Sequence, residues 1–150
     1  MDPLSATASV IAVIQMSEKV GSAAYRYVKG AKNAKSDIES LLDEIGGLKT
    51  FLENTQTLLE SPQGSKLETS QDLNARLKKL LCELRRINQD LEEKLAAKKN
   101  KILPAAFLKW PFESSKIQEI VQKLAKFRGD IEACLQIDQT YVRSYCPATD

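Results

Sequence analysis

Apolar residues recur at alternating intervals of three and four along three long stretches of this 150-residue chain. This spacing places the apolar residues of each stretch on one face of an α-helix. It also favours helices that pack nearly parallel or antiparallel, at about 20°. The chain therefore predicts an all-α fold, a helical bundle. The three series are Ile38, Leu41, Ile45, Leu48, Leu52, Thr55 and Leu59; Leu73, Leu77, Leu80, Leu84, Ile87 and Leu91; and Ile117, Ile120, Leu124, Phe127, Ile131, Cys134 and Tyr141.

We expect a single domain of four to five helices over residues 1–150, because this length suffices for one core. Ser36 and Glu39 fit a capping box at the start of the second helix, and the loop at 61–65 ends that helix. The same patterns also suit an intermolecular coiled coil. Because loops interrupt each series, we favour an intramolecular bundle with self-association as an additional property. The predicted helices cover about 3–29, 36–60, 69–97 and 113–145, with a short turn at 102–108.

The first helix has no charged side chain between Asp2 and Glu18. Asp2 is suited to cap it, with Pro3 in the first turn. A helix that is apolar all round is wrapped by protein or by lipid, so we predict a long N-terminal helix at the centre of the bundle. Because this helix is terminal and its side chains are small, we expect its release from the bundle to require less free energy than release of the other helices.

The N-terminal segment does not resemble a secretory signal, because it lacks a positively charged start. It is also shorter than the about 20 apolar residues that cross a bilayer. Cys82 and Cys134 lie on helical faces that we predict to be buried, and Cys146 makes the number of cysteines odd. We therefore expect reduced thiols and a cytoplasmic protein with regulated recruitment to the membrane.

A short bent connector is predicted before the last helix, because Pro104 and Pro111 prevent a continuous helix. The segment 94–112 carries lysines and apolar or aromatic residues but no acidic residue. Three interpretations remain open. The aromatic residues plug one end of the bundle, or the lysines bind anionic lipid headgroups with the aromatic residues at the interface, or the lysines bind nucleic acid. The last is the weakest, because no nucleic-acid-binding motif is present.

Catalytic patterns are missing from the sequence. There is no histidine, no GxSxG, no GxxxxGK[ST] and no GxGxxG. Gly46 and Gly47 lie within a helical pattern, and the adjacent acidic pairs point in different directions on their helices. We expect no enzyme activity, no cofactor and no metal site.

Three segments of the sequence resemble those of a known group of proteins. The opening MDPLSATASVIAVIQ (residues 1–15), the KWPF connector (109–112) and LQIDQT (135–140) resemble N-terminal HeLo-like domains of fungal NOD-like receptors and related STAND proteins. The resemblance covers nearly the whole chain. It implies a helical effector of regulated cell death or heterokaryon incompatibility in fungal innate immunity, clustered by downstream receptor domains and reaching a membrane through its N-terminal helix.

The resemblance assigns membrane insertion to the first helix, within residues 4–16. Self-association, anionic lipids and downstream receptor domains are the expected partners. The alternative function is a non-lytic homotypic or heterotypic interaction module, an adaptor or scaffold in the same class of receptor. The predicted inserting residues are Leu4, Val10, Ile11, Val13 and Ile14, and the predicted headgroup or partner contacts are Lys98, Lys99, Lys101, Lys109, Trp110 and Phe112.

Overall fold

Four α-helices make up the fold in the computed structural model. The structure describes residues 5–30, 33–64, 66–67, 70–101 and 110–145, with only the backbone at 97–101 and 137–145. Within these ranges there is no β-strand, so the predicted helical bundle is confirmed with four helices. The predicted turn at 102–108 lies outside the described residues. The helices are α1 (Ala6–Tyr25), α2 (Lys35–Glu60), α3 (Gln71–Lys101) and α4 (Ser114–Tyr145).

The predicted core faces are nearly all confirmed. All seven positions of the α2 series and all six of the α3 series are buried. In α4 the buried members are Ile117, Ile120, Leu124, Ile131 and Cys134, whereas Phe127 is half-buried and the side chain of Tyr141 is outside the described part. Cys82 is exposed, so its predicted burial is wrong. It lies on α3 beside the leucine face, and not within it.

The direction of α1 follows from its contacts with two neighbours. Near the start of both helices, the Ser9 hydroxyl on α1 donates to Asn74 Oδ1 on α3. After α1 ends, the Tyr27 hydroxyl donates to the carbonyl oxygen of Leu91, late in α3. The helices α1 and α3 are therefore parallel. Since α2 follows α1 through a short connection and packs against it, α1 and α2 form an antiparallel pair.

The last helix closes the bundle on the opposite side. The Ser114 hydroxyl at the start of α4 donates to Asp37 Oδ2 near the start of α2, over 2.6 Å. These two helices are therefore parallel. An ion pair between Lys123 and Glu83 belongs to the antiparallel contact of α4 with α3. The order around the bundle is α1, α2, α4, α3, because α1 packs on α2 and α3, and α4 packs on the same two helices.

The central placement predicted for the N-terminal helix is not confirmed. At 20 residues α1 is the shortest of the four helices, and it forms one side of the bundle. Its outward stripe includes Ile11, which is 37% exposed, and Gln15. The helix carries no charged side chain over its first three turns, and within the described residues it packs mainly on α2 and α3.

Two helix starts differ from the predictions. Ser5 caps α1, because its hydroxyl oxygen accepts from the Ala8 N–H at 3.2 Å and satisfies a backbone group that the helix leaves unpaired. Asp2 and Pro3 lie outside the described residues. The N-cap of α2 is Ala34, which provides no side-chain hydrogen bond, so the predicted capping box at Ser36 is wrong.

Candidate functional site

The buried face of α1 is lined by small side chains. It contributes three valines, three alanines and two serines to the interior, whereas the buried face of α2 consists of isoleucines and leucines with one threonine. Burial of a valine or leucine side chain stabilises a fold by about 1.5–3 kcal/mol, and an alanine contributes much less. The apolar contacts of α1 therefore hold it less strongly than those of α2 hold that helix. The α1 residues are Ala6, Ser9, Val10, Val13, Ser17, Val20, Ala23 and Ala24.

The two buried serines of α1 have different hydrogen-bond partners. Ser17 donates to the carbonyl oxygen of Val13 within the same helix, over 2.9 Å. This bond survives if α1 leaves the bundle as an intact helix. Ser9 donates to Asn74 on α3 over 3.3 Å, and this bond is lost on release. No ionisable side chain lies on the buried face of α1, so its exposure to lipid does not desolvate a charge.

The predicted inserting residues do not share one exposed face in this structure. Val10 and Val13 are fully buried, Ile14 is half-buried and Ile11 points outward. Leu4 lies outside the described residues. An apolar surface made of these side chains is therefore available to lipid only after α1 has moved away from α2 and α3.

A surface ion pair joins α1 to α2. Lys49 Nζ lies 3.1 Å from Glu18 Oε1, and both side chains are about half exposed. The hydrogen bond with Glu18 and the attraction of its carboxylate raise the pKa of Lys49. Exposed pairs of this kind contribute little to stability, so the Lys49 pair is a weak restraint on α1.

An aromatic cluster lies where α1 ends and α4 begins. The ring of Trp110 contacts Tyr27 and Phe112 edge to face, with centroids 5.3 Å apart in both pairs. Tyr27 is fully buried, and its hydroxyl donates to the Leu91 carbonyl oxygen over 2.6 Å. Trp110 and Phe112, predicted as lipid or partner contacts, are half-buried here and pack against the core. Lys109 and the side chains of Lys98, Lys99 and Lys101 lie outside the described part.

The aromatic cluster anchors the C-terminal end of α1 and buries the Tyr27 hydroxyl away from water. Burial, and then the negative charge of Glu92, raises the pKa of Tyr27 from 10.0 to about 12. The phenol is therefore neutral at physiological pH and keeps its hydrogen bond to Leu91.

Alkaline pH is expected to remove the stabilisation that Tyr27 provides. An unfolded phenol loses its proton near pH 10.0, while the folded one keeps it to about pH 12. The free energy of unfolding therefore falls across this window, by about 2 kcal/mol for this residue. Urea unfolding of the native chain and Tyr27→Phe at several pH values measures the contribution as a difference. A difference that stays constant from neutral pH to pH 12 contradicts the assignment.

Sequence reasoning missed a group of basic side chains between α3 and α4. Arg76, Lys79, Lys123 and Lys126 line one groove with Phe127 and Asp130. The sequence places Arg76 and Lys79 on the outer face of α3. Their neighbours on α4 are about fifty residues away in the sequence, so local patterns do not show that the two sets of charges meet. The signal that could have revealed it is the matching three-four spacing of charges on the two helices.

Metal and membrane-spanning features are not found in the described ranges. No cluster of three or more potential metal ligands is present there, and none of the helices searched is both long and apolar enough to cross a bilayer. In comparisons with known proteins, the chain has no significant match to a protein-family profile, a curated protein or a solved structure.

Proposed function

We propose that this chain is a HeLo-like signalling domain of a fungal innate-immunity or incompatibility receptor. Clustering of several copies releases α1, which enters an anionic membrane surface and promotes regulated cell death. The observation that carries the proposal is the buried face of α1, which has small side chains and no ionisable group. The resemblance of the opening and connector motifs supports the receptor class. In the resting state α1 is packed in the bundle, and in the proposed released state it is packed in lipid.

Release of α1 is proposed to start at its N-terminal end. There Ser9 makes one long hydrogen bond to α3, whereas the C-terminal end is followed by Tyr27, with its short hydrogen bond and ring contacts. The segment around Tyr27 is suited to act as the pivot. Clustering then shifts the population toward a released state that is rare in the monomer.

Released α1 is proposed to lie in the membrane interface. Residues 5–17 carry no charge and extend about 20 Å at 1.5 Å per residue, which is less than the about 30 Å of a hydrocarbon core. An interfacial helix disturbs lipid packing without crossing the bilayer. Lys98, Lys99, Lys101 and Lys109 are proposed to attract anionic headgroups in addition, each by about 1 kcal/mol.

A charge on the outward stripe of α1 is expected to abolish membrane disruption without unfolding the bundle. Ile11 is already 37% exposed, so Ile11→Glu places a carboxylate in water in the resting state. After release the same carboxylate meets lipid, where it is strongly unfavourable. We expect the clustered native chain, fused to an inducible dimeriser, to release dye from anionic vesicles, and Ile11→Glu to release none above background.

Ser22→Glu is the matched control. Ser22 is exposed on α1 beyond the uncharged stretch. The Ser22→Glu variant therefore adds the same charge outside the segment proposed to insert. This variant is expected to retain release, and both variants should melt at nearly the native temperature. Equal release by Ile11→Glu and the native chain refutes insertion of α1.

A non-lytic interaction module is the second candidate, and a different observation favours it. The outward stripe of α1 exposes two apolar or aromatic side chains, Ile11 and Tyr25, with Tyr25 68% exposed. These residues could contact another helical domain while α1 stays in place. This function predicts association in solution that Ile11→Glu abolishes, with no dye release by any variant. Sedimentation and dye release, measured on the same samples, separate the two functions.

A further inference from the structure

Antiparallel packing of α3 on α4 brings side chains together in a ladder of cross-helix contacts. Nearest the start of α3, the Cys134 thiol donates to Asp72 Oδ2 over 3.3 Å. One turn further along, Arg76 pairs with Asp130 at 3.6 Å. Two turns beyond that, Lys123 pairs with Glu83 at 3.1 Å. Each of these contacts joins a donor or cation to a carboxylate.

One step of the ladder is cationic on both helices. Lys79 on α3 and Lys126 on α4 lie between the Arg76 and Glu83 steps, and both line the same groove. Both are exposed, and neither forms an ion pair within the described residues. The carboxylates at the two neighbouring steps already have partners, because Asp130 pairs with Arg76 and Glu83 pairs with Lys123. Among the described residues, these two positive charges therefore face one groove without a carboxylate partner of their own.

The groove has the size and lining of a site for a compact anion. Its volume is about 200 Å³, which is less than the about 300–1,000 Å³ of a site for a drug-sized ligand. Four basic side chains and one acidic side chain surround it, and half-buried Phe127 contributes an apolar surface. Such a surface excludes water on one side and strengthens the attraction between the ammonium groups and an anion.

We propose that this groove binds a phosphate monoester group, through Lys79 and Lys126. Such a group carries nearly two negative charges at neutral pH, which matches the two ammonium groups that have no carboxylate partner in the described part of the chain. A single carboxylate neutralises only one of them. Lysine binds phosphate as a mobile point charge, and Arg76 and Lys123 at the neighbouring steps add to the positive potential. The phosphate belongs either to a lipid headgroup or to a free phosphorylated molecule.

The site is independent of the proposed release of α1. It lies on α3 and α4, and all its residues are in place in the resting bundle. Binding of a free phosphate therefore requires neither clustering nor a membrane. Failure of dye release leaves this inference intact, and failure of phosphate binding leaves insertion of α1 intact.

The test uses the full chain with two phosphate sources near physiological salt. The free source is inositol 1,4-bisphosphate, titrated into the ¹⁵N-labelled chain and followed by amide chemical shifts. The lipid source is a phosphatidylcholine vesicle with a minor fraction of phosphatidylinositol 4-phosphate, followed by sedimentation. The double variant Lys79→Gln and Lys126→Gln is expected to weaken binding by about tenfold or more, on the basis of two lost charge-assisted contacts. It removes a like-charge repulsion, so we expect the chain to stay folded.

The matched control is Lys78→Gln with Arg85→Gln. Both residues are exposed on α3 outside the groove, and the net charge falls by the same amount. We expect this control to bind almost as the native chain does. Binding of both inositol 1,4-bisphosphate and the vesicles shows that the site recognises the phosphate group itself. Binding of the vesicles alone shows that it recognises a lipid headgroup. The inference is overturned by no binding in either arm, by an equal loss in the control, or by equal affinity for citrate or a short DNA duplex.

Discussion

A disulfide between positions 9 and 74 is expected to reduce dye release by the clustered chain to the level of vesicles without protein. Ser9 on α1 and Asn74 on α3 already meet over 3.3 Å, so cysteines at both positions join the N-terminal part of α1 to its neighbour. If release starts at this end, the oxidised chain keeps Val10 and Val13 buried and presents no apolar surface to lipid. The expected effect is large because the covalent link removes the released state from the population.

Reduction of the disulfide provides the internal control for this experiment. Cys82, which is exposed, and Cys146 are replaced by serine so that they do not compete for pairing, whereas the buried Cys134 is kept. Dye release should return after addition of a reductant, and a Ser9→Cys chain without the second cysteine should be insensitive to it. Undiminished release by the fully oxidised chain would mean that the membrane surface is formed elsewhere on the bundle.

Adjacent leucines are expected to differ sharply in their contribution to stability. Leu41 on α2 and Leu80 on α3 are fully buried, whereas the following residues, Leu42 and Leu81, are half-buried. Truncation of a buried leucine to alanine leaves a cavity and costs 2–5 kcal/mol, so we expect about 3 kcal/mol for Leu41→Ala and Leu80→Ala. We expect about 1 kcal/mol for Leu42→Ala and Leu81→Ala, which remove partly hydrated side chains.

These four variants form two matched pairs, because each pair changes the same side chain at neighbouring positions of one helix. Helix propensity and the unfolded chain are therefore nearly the same within a pair. Urea unfolding at a fixed protein concentration measures the differences. A fold of this size is stable by about 5–15 kcal/mol, so the larger losses shift the unfolding midpoint strongly. Equal losses within a pair would show that the helix is rotated from its assigned orientation.

The sequence alone predicted the helices and their core faces well. In α2 the buried residues are the ones that recur at intervals of three and four from Ile38 to Leu59. Local periodicity defines a helical face before any packing partner is known. The ends of the helices were predicted less well. At α1 the cap is Ser5, whose hydroxyl oxygen accepts from a backbone N–H that the helix leaves unpaired, whereas α2 begins after Ala34 without a side-chain cap.

The candidate sites could be predicted from the sequence less well than the helices, because they depend on which helices pack against each other. Ile11 and Val10 are neighbours in an uncharged run, and nothing in their sequence indicates that one is exposed and the other buried. That difference arises because, in the described part of the chain, α1 packs mainly on α2 and α3, and these two helices cover Val10 and leave Ile11 exposed. The contact of Trp110 with Tyr27 joins residues 83 positions apart, which local patterns do not detect.

What the sequence determined is thus the set of amphipathic helices and the uncharged character of the first one, because both are properties of neighbouring residues. The tertiary structure decided which faces became neighbours. The step at which Lys79 and Lys126 share a groove depends on the antiparallel register of α3 and α4. A shift of that register by one turn would place other charges opposite each lysine. Packing of the whole bundle sets the register, because it is the arrangement that buries all the helical faces together.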